Sequence, residues 1–254
     1  PVSASSVSYE WSNGSLNPRQ EVREYGVQHR DSDLAFVERL VAEEGWHYRY
    51  QHGSLDGQEP PALVFADHHR DSPRLEAVPY NGKAGGSTRT PCVFRFAYRE
   101  RVRPASVAMK DYTFKNPAYA LMHEQSGDQL VHREDYQHYD YPGRFKQDAS
   151  GRPFTEARLA ALRSDASTTF GESNRPDFAP GARVPLTDHD NEAVNRDWLL
   201  TAITHTGSQP QALEEEGGSE PTRYGHHFNA IPADRSWRPP CEHKPQTNGP
   251  PRGA

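Results

Sequence analysis

The sequence predicts a β-rich α+β protein, and three observations support this fold class. Residues 25–50 show the alternation of a strand, then the spacing of a helix, then alternation again. The short apolar run at 62–66 is typical of a further, buried strand. From Cys92 onward the pattern is that of strands and turns, with one helical interruption. A strand–helix–strand unit buries one face, so its helix is expected to cover a sheet.

The first predicted strand covers residues 25–29, in which Tyr25, Val27 and His29 share one face. A polar residue then caps a helix by accepting hydrogen bonds from its free N–H groups: Asp31, Ser32 or Asp33. The helix is expected to turn an apolar stripe inward: Phe36, Val37, Leu40 and Val41. Its charged residues are expected to face away: Glu38, Arg39, Glu43 and Glu44. Gly45 ends the helix, since glycine adopts the left-handed conformation without strain.

After the helix, Trp46, Tyr48 and Tyr50 alternate on one face of a second strand, and residues 62–66 (ALVFA) are predicted to form a third. This aromatic face is capable of stacking a ligand, but core packing is the preferred interpretation because aromatic side chains dominate β cores. Residues 1–20 are rich in Ser, Asn and Pro, so they are predicted to be a loop or a truncated end.

Residues 67–86 are loop-like, and the strand after Cys92 carries aromatic residues that are expected to pack in a core: Phe94, Phe96 and Tyr98. Val107 and Met109 begin the next strand. Tyr112 and Phe114 have the opposite parity, which predicts a bulge or a bend near residues 110–111. The sequence Tyr141-Pro142-Gly143 is typical of a type II turn.

A second helix is predicted from about Phe154 to Ala166, capped by Thr155, with an apolar pair at Leu159 and Leu162. Four later segments complete the pattern: an edge strand at 184–187, a strand at 198–205, an acidic loop at 208–221 and a strand at 224–231. The edge assignment follows from Pro185, which cannot donate to a ladder. Glu214–Glu216 in the acidic loop are expected to be a solvated surface, with partner recognition as the alternative.

Composition excludes several functional classes. At 254 residues the chain can bury one large core or two ordinary ones. Its mean hydropathy of -0.96 is polar, which favours β-rich subdomains with long loops, or a protomer that completes its core with partners. The net charge of -6 gives no basic footprint for nucleic acid. No run approaches the ~20 apolar residues of a membrane span, and residues 1–11 lack the regions of a signal peptide.

Candidate chemical groups are present but poorly arranged. Adjacent histidines, His68-His69 and His226-His227, point to opposite faces of a strand and rarely bind one ion, so no metal site is predicted. A glycosidase needs two carboxylates at a suitable separation, and four neighbouring residues could resemble such a site: Glu134, Asp135, Tyr139 and Asp140. Solvation or ion pairing of these carboxylates is the preferred interpretation. Gly82–Gly86 lacks the Lys-Ser/Thr and the helix of a phosphate loop. Cys92 and Cys241 are interpreted as two thiols, with a disulfide as the alternative. Neither catalytic residues nor a cofactor are predicted.

Four strings in order carry a family resemblance. They are REYGVQHRDSDLAFVERLVAEEGWHYRY at 23–50, RVRPASVAMKDYTFKNP at 101–117, EDYQHYDYPGRF at 134–145 and NRDWLLTAITHTG at 195–207. Together they resemble the VgrG family, the spike proteins of type VI secretion systems, which is similar to the tail hub of contractile phages and to the phage late control D proteins.

The resemblance implies tail-hub-like barrel subdomains with a strand–helix–strand–strand layer and one further helix. We expect four segments: an N-terminal loop or truncated end at 1–20, an α+β hub subdomain at 21–90, a β-barrel-like hub subdomain at 91–232 with a helical insertion near 153–167, and a Pro-rich linker at 233–254. In the family, an OB-fold domain and a spike would follow this linker. Because the first residue is not Met and these parts are missing, the chain is interpreted as a hub fragment.

The implied function is structural. A homotrimer would form a ring of pseudo-sixfold symmetry that docks on the Hcp tube, supports a PAAR tip and carries effectors or their adaptors during contraction. Such a protein is assembled in the bacterial cytoplasm and delivered outside the cell or into a target cell. Two alternatives stay open: a phage baseplate hub, or a secreted hydrolase effector on a VgrG-like scaffold. Only the second of these would be an enzyme.

Overall fold

The computed structural model describes residues 8–11, 26–53, 60–70, 72–83, 90–127, 135–210 and 222–240. Within these ranges the protein consists of three β-sheets and two α-helices, with a short 3₁₀ helix at Glu192–Val194. The β-rich α+β class predicted from the sequence is therefore confirmed.

The first sheet has three strands, with β3 (Ala62–Ala66) between β1 (Ser8–Trp11) and β2 (His47–Gln51). Strand β1 runs parallel to β3, and β2 runs antiparallel to it. A loop or a truncated end was predicted for residues 1–20, and the loop alternative is wrong at Ser8–Trp11, which form a strand. The predicted strand at 25–29 is also absent from its described part, since residues 26–29 have no regular structure and Tyr25 lies outside the described ranges. Because β1 and β2 occupy both edges of β3, no edge of that strand is left for such a segment.

Helix α1 (Asp33–Glu43) follows this irregular segment and has the predicted ends. The Ser32 hydroxyl accepts a hydrogen bond from the backbone N–H of Ala35, which satisfies one of the free donors at the helix start. Gly45 has a φ of 72°, the left-handed conformation expected just beyond a helix.

The second sheet contains six strands and the main core. Their order is β4 (Val78–Pro79), β10 (Arg183–Thr187), β11 (Asp197–Ser208), β12 (Arg223–Pro232), β9 (Ser167–Ser173) and β5 (Val93–Glu100). Trp198 is almost completely buried and receives Phe96 and Tyr98 in edge-on contacts, with ring centroids 5.0 and 5.7 Å away. All three predicted core aromatics of β5 are half-buried, and Phe96 and Tyr98 pack against the main core as expected.

Strand β10 is not an edge strand, which corrects the prediction made from Pro185. It lies between β11 and the two-residue strand β4. The N–H of Arg183 donates to the carbonyl of Pro73, and the carbonyl of Thr187 accepts from the N–H of Tyr80. The backbone hydrogen-bonding groups of the odd-numbered residues of β10 therefore point toward β4. Pro185 lies midway between these bonds, opposite residues 75–77, which are not in a strand. Its missing donor is therefore tolerated at a gap in the ladder.

The third sheet has β6 (Ser106–Asp111) between β7 (Leu121–Ser126), which is antiparallel, and β8 (Gln137–Asp140), which is parallel. Helix α2 (Asp148–Leu162) packs on its inner face. A second buried cluster fills this contact: Val107, Met109, Leu121, Phe145 and Leu159. Of the bulge or bend predicted near 110–111, the bulge is wrong, because the pairing of β6 with β7 is regular up to Asp111. The strand ends there, and the following aromatic residues are outside any strand.

Helix α2 begins about six residues before the predicted start. The sequence DASGR at 148–152 contains weak helix formers and precedes Pro153, so local propensity argues against a helix there. Thr155 lies within the helix and does not cap it; its hydroxyl donates to the carbonyl of Gly151 at 2.7 Å.

The segment at 141–143 is not a type II turn. That turn requires a positive φ at its third position, but among the described residues nearby the positive φ belongs to Arg144, at 63°. The peptide bond between Tyr141 and Pro142 is cis.

Candidate interaction surfaces

The described part of the chain exposes thirteen large apolar side chains, and ten of them form two groups. The first group, which we call the aromatic end, consists of Tyr112, Phe114, Tyr119, Met122, Tyr139 and Tyr141. The second, which we call the helix–strand face, consists of Leu34, Val37, Tyr48 and Tyr50. Exposed apolar patches rimmed by polar residues mark interaction sites, so these two surfaces are the candidate functional sites.

The topology of the third sheet brings the aromatic end together. Strands β6 and β8 are parallel and end at Asp111 and Asp140, whereas the antiparallel β7 begins at Leu121. The segments that follow β6, precede β7 and follow β8 therefore meet at one end of the sheet. Phe114 is the most exposed member of the group, at 76%.

Polar contacts hold the aromatic end in place. Tyr119 donates its hydroxyl to Asp148 at the start of α2, and His123 contacts the same carboxylate at 3.0 Å. Lys146 donates to Asp111 and to the backbone carbonyl of Tyr112, both at 3.0 Å. Because α2 and the segment before it are tied to the strand ends, the exposed rings lie on an ordered support.

The outer face of the third sheet is partly closed by its own side chains. Gln137 on β8 donates to Glu124 on β7, and this bond spans the central strand β6. Ala108 lies beneath it on β6 and is completely buried. Tyr139 and Met122 flank this bridge with 56% and 47% exposure, so they extend the aromatic end onto the outer face.

The helix–strand face results from an unexpected orientation of α1. Val37, which was predicted to face inward, is 44% exposed, whereas Arg39, which was predicted to face away, is 6% exposed. Val41 is buried as predicted. Tyr48 donates its hydroxyl to Glu38 at 2.6 Å, so α1 lies on the Tyr48 side of the first sheet. That hydrogen bond, with burial, raises the pKa of Tyr48 to about 12.

A buried ion network explains the orientation of α1. The Arg39 guanidinium contacts Asp31 at 2.9 Å and Glu43 at 3.7 Å, and the three side chains expose only 7 to 8% of their area. Arg144, which lies between β8 and α2, pairs with Glu43. Charges removed from water need such partners, so satisfying Arg39 and Glu43 decides which side of the helix faces inward. The network also joins α1 to the segment that follows the aromatic end.

The aromatic strand predicted at 46–50 is only partly in a core. Trp46 is half-buried and precedes β2, whereas Tyr48 and Tyr50 are 38% and 45% exposed. The core face of this sheet instead presents Ala62, Val64 and Ala66. Core packing was therefore the wrong interpretation for the two tyrosines.

The two histidine pairs are placed differently. His226 and His227 alternate within β12, whereas His68 and His69 lie beyond the end of β3 with their ring centroids 4.6 Å apart, so this pair does not point to opposite faces of a strand as predicted. His69 contacts the backbone carbonyl of Ala233 through Nε2 at 2.5 Å, and burial lowers its pKa. His226 is buried and lies against Phe178, with centroids 5.0 Å apart, whereas its neighbour His227 is exposed. Burial lowers the pKa of His226 to about 4. The described residues contain no group of three or more His, Cys, Asp or Glu side chains suited to a metal ion.

The carboxylates of the tyrosine-rich strand do not converge. Asp140 pairs with Arg158 of α2 at 3.0 Å, while the adjacent Tyr139 points to the outer face. Asp135 is exposed, and Glu134 lies outside the described residues. Ion pairing, which the sequence favoured over a glycosidase role, is thus the observed environment of Asp140.

Cys92 is a buried free thiol whose pKa is raised by burial. Cys241, the acidic residues 214–216 and most of the Gly82–Gly86 string lie outside the described residues. Among the helices that the structure describes, none has the length and apolar character to cross a bilayer. Sequence reasoning did not identify the aromatic end. The sequence signal was the density of large apolar residues between 112 and 141, seven of which the structure shows to be exposed.

Comparison with known sequences gives a consistent result. Residues 4–211 match the family model described as phage tail baseplate hub (GPD). The chain is 41% identical over 230 residues to the actin cross-linking toxin VgrG1 of Vibrio cholerae and 41% identical over 231 residues to its type VI secretion system spike protein VgrG3. Both alignments cover 90% of this chain, which spans only 21 and 22% of those proteins. VgrG2b of Pseudomonas aeruginosa is 34% identical over 233 residues, covering 90% of this chain and 22% of that protein.

Two solved structures share the fold. The Escherichia coli c3393 protein, a type VI secretion component with structural similarity to the T4 tail proteins gp27 and gp5, superposes with a TM-score of 0.57 at 17% identity. That superposition covers 96% of this chain and 48% of the other. The 43 kDa tail protein of prophage MuSo2 from Shewanella oneidensis gives a TM-score of 0.55 at 11% identity, covering 90% and 62% of the two chains.

Proposed function

Because the chain belongs to the phage tail baseplate hub family and carries a VgrG-like hub sequence, we propose that it is a wall segment of a trimeric type VI secretion spike. In this proposal three copies form a ring, each copy supplying two sheet-based units. The ring then presents six similar units to the sixfold Hcp tube, which resolves the symmetry mismatch by geometry. The division into subdomains at 21–90 and 91–232 remains part of the proposal.

The observation that carries this proposal is the 41% identity to a type VI secretion spike protein over nine-tenths of the chain. The molecule also has the surface that an assembly component needs. Two apolar surfaces, the aromatic end and the helix–strand face, are exposed, whereas the apolar residues of the two core clusters are buried. A protomer that completes its core with partners was one of the two expectations from composition, the other being β-rich subdomains with long loops.

The proposed mechanism is mechanical. Force from sheath contraction passes through hydrogen-bonded sheets, such as the long β11–β12 pair, and reaches the tip without a chemical step. The chain itself carries no catalytic role in this proposal. Delivery with the spike would take it outside the cell, and effectors or a PAAR tip would be carried by other parts of the assembly.

The test combines mass and binding. The protein, with any sequence that flanks this chain naturally, is purified and analysed by light scattering with and without preformed tube rings. We expect a mass of three chains and co-migration with the tube. A protein that stays monomeric and ignores the tube at all concentrations would contradict the proposal.

A phage baseplate hub is the second candidate, favoured by the family model itself and by the prophage tail protein with a TM-score of 0.55. Binding assays with a contractile-phage tube protein and with a type VI tube protein, run side by side, distinguish the two. The higher sequence identity to spike proteins leads us to expect preference for the type VI tube.

A further inference from the structure

The two exposed apolar surfaces differ in shape and position. The aromatic end consists mainly of ring side chains at the strand ends of the third sheet, whereas the helix–strand face combines aliphatic residues of α1 with tyrosines of β2. They belong to different sheets and are held apart by α1 itself. Glu43 at one end of the helix is pinned to Arg144, and Leu34 lies nine residues away near the other end, roughly 14 Å along the axis.

From this arrangement we propose that the aromatic end of one copy docks on the helix–strand face of the next copy. The inference rests on the proposed trimeric hub and names the surfaces of its protomer contact. A closed ring of three is built from heterologous contacts, in which two different patches of each chain meet. The chain presents two such patches, and they account for ten of the thirteen exposed large apolar side chains of its described residues.

The area of the two surfaces matches what one contact requires. With exposures of 47 to 76%, the six side chains of the aromatic end offer roughly 700 Å² of accessible surface. The four side chains of the helix–strand face, at 38 to 63% exposure, add roughly 300 Å². Each side of a contact buries about the same area, so the helix–strand face would be covered completely by roughly 300 Å² of the aromatic end. Since about 60% of an interface is apolar, the corresponding total is roughly 1,000 Å², the area that a specific interface should reach.

The chemistry of the surfaces also fits a contact between proteins. Tyrosine and methionine are enriched at interface cores, and tyrosine orders few rotatable bonds on binding. Lys110, Lys115 and Lys146 are exposed near the aromatic end and outnumber the exposed Asp148, while Asp33 and Glu38 are exposed near the helix–strand face. Charges of opposite sign would therefore border the two sides of the contact, which gives it orientation.

Two matched substitutions test the proposal in the 254-residue chain. Phe114→Asp places a charge on the aromatic end, and Leu34→Asp does so on the helix–strand face. Leu34 lies in the first turn of α1, where a carboxylate suits the helix dipole, so this variant is expected to fold. Val102→Asp is the control, because Val102 is 59% exposed but belongs to neither surface.

Sedimentation velocity over a dilution series measures the mass. We expect three chains for the wild type and Val102→Asp, and one chain for each of the other variants. An equimolar mixture of Phe114→Asp and Leu34→Asp should give two chains, because one intact aromatic end can still dock on one intact helix–strand face. A Leu34→Asp protein that keeps the wild-type mass, or a mixture that stays at one chain, overturns the proposal. A wild type that is monomeric at every concentration also overturns it.

Tube binding separates this inference from the proposed function. If Phe114→Asp keeps its three-chain mass but no longer co-migrates with the tube, the aromatic end contacts the tube and the protomer contact is refuted. The hub function would stand in that case. A photo-crosslinking residue at position 141 gives an independent readout, and we expect its intermolecular product to contain the α1 peptide.

Discussion

Replacing Arg39 by alanine should destabilise the protein more than any substitution of an exposed charge. The Arg39 guanidinium lies 2.9 Å from Asp31 and 3.7 Å from Glu43, and all three side chains expose 8% of their area or less. Glu43 keeps a second partner in Arg144. In the variant, the carboxylate of Asp31 therefore loses the guanidinium and stays largely out of water.

The expected cost follows from that stranded charge. Removing one partner of a buried ion pair typically lowers the free energy of unfolding by about 3–5 kcal/mol. Because Glu43 retains its contact with Arg144, the loss expected for Arg39→Ala is at the lower end, about 3 kcal/mol. For a protein of this size the midpoint of thermal unfolding should fall by about 6 to 12 °C. Arg152 offers the control, because its helical pair with Glu156 is 78% and 48% exposed. Arg152→Ala should cost no more than about 0.5 kcal/mol.

Urea denaturation followed by circular dichroism at 222 nm measures both variants. A third variant, Arg39→Met, keeps the apolar stem and removes only the charge, so it should resemble Arg39→Ala. Combining Arg39→Ala with Asp31→Asn should recover part of the loss, since the stranded carboxylate is then gone. Equal costs for Arg39→Ala and Arg152→Ala, or wild-type stability of Arg39→Met, would refute the reasoning.

Two further predictions concern pH and a close backbone contact. Burial, and to a lesser extent nearby positive groups, lowers the pKa values of His47 and His226 from 6.5 to about 4. The unfolded chain therefore takes up protons at a higher pH than the folded protein does. Stability should be complete above pH 6.5 and fall between pH 6.5 and 4. Thermal unfolding at four pH values checks this, and His226→Leu should flatten the curve; an unchanged slope would count against it. Gly45→Ala should lose about 2 kcal/mol or more, because its φ is 72° and the new Cβ would lie 2.6 Å from that of Ala157. Gly207→Ala, whose new Cβ would lie 3.8 Å from its nearest neighbour, the carbonyl oxygen of Arg223, should change stability by less than about 0.5 kcal/mol in the same denaturation assay.

The features that the sequence predicted well depend on neighbouring residues. The ends of α1 follow from Ser32 and Gly45, whose roles in capping are local. Strand β1 could not be predicted in this way, because Ser8–Trp11 pairs with a strand more than fifty residues later. The start of α2 was missed for a related reason. Packing of Leu159 against the third sheet stabilises the helix as a unit, so its weak first turn forms despite Pro153.

The candidate surfaces were the hardest part to predict, since exposure is set by the partners of a side chain as well as by its polarity. Amphipathic spacing assigned Val37 to the inside of α1 and Arg39 to the outside, and the structure reverses both. The reversal is explained by the ion partners of Arg39, which a count of apolar spacing does not weigh. Glu43 lies one helical turn after Arg39, Asp31 precedes the helix, and Arg144, which pairs with Glu43, lies far later in the chain. Similarly, the pattern of a tyrosine-rich run predicts a β core. Only the fold of the chain shows that this run lies at the ends of the strands.

The orientation of α1 links stability to assembly in one element. A helix rotated so that Leu34 and Val37 turned inward would leave no helix–strand face for a second copy. The ion network keeps these two residues outside while Val41 is buried, so the same contacts that stabilise the fold also present the docking surface. Arg39→Ala should therefore weaken self-association as well as stability, whereas Leu34→Asp should weaken self-association alone. Measuring both quantities for both variants separates the two roles, and an equal loss of stability in the two would contradict this separation, because Leu34 would then support the fold as well.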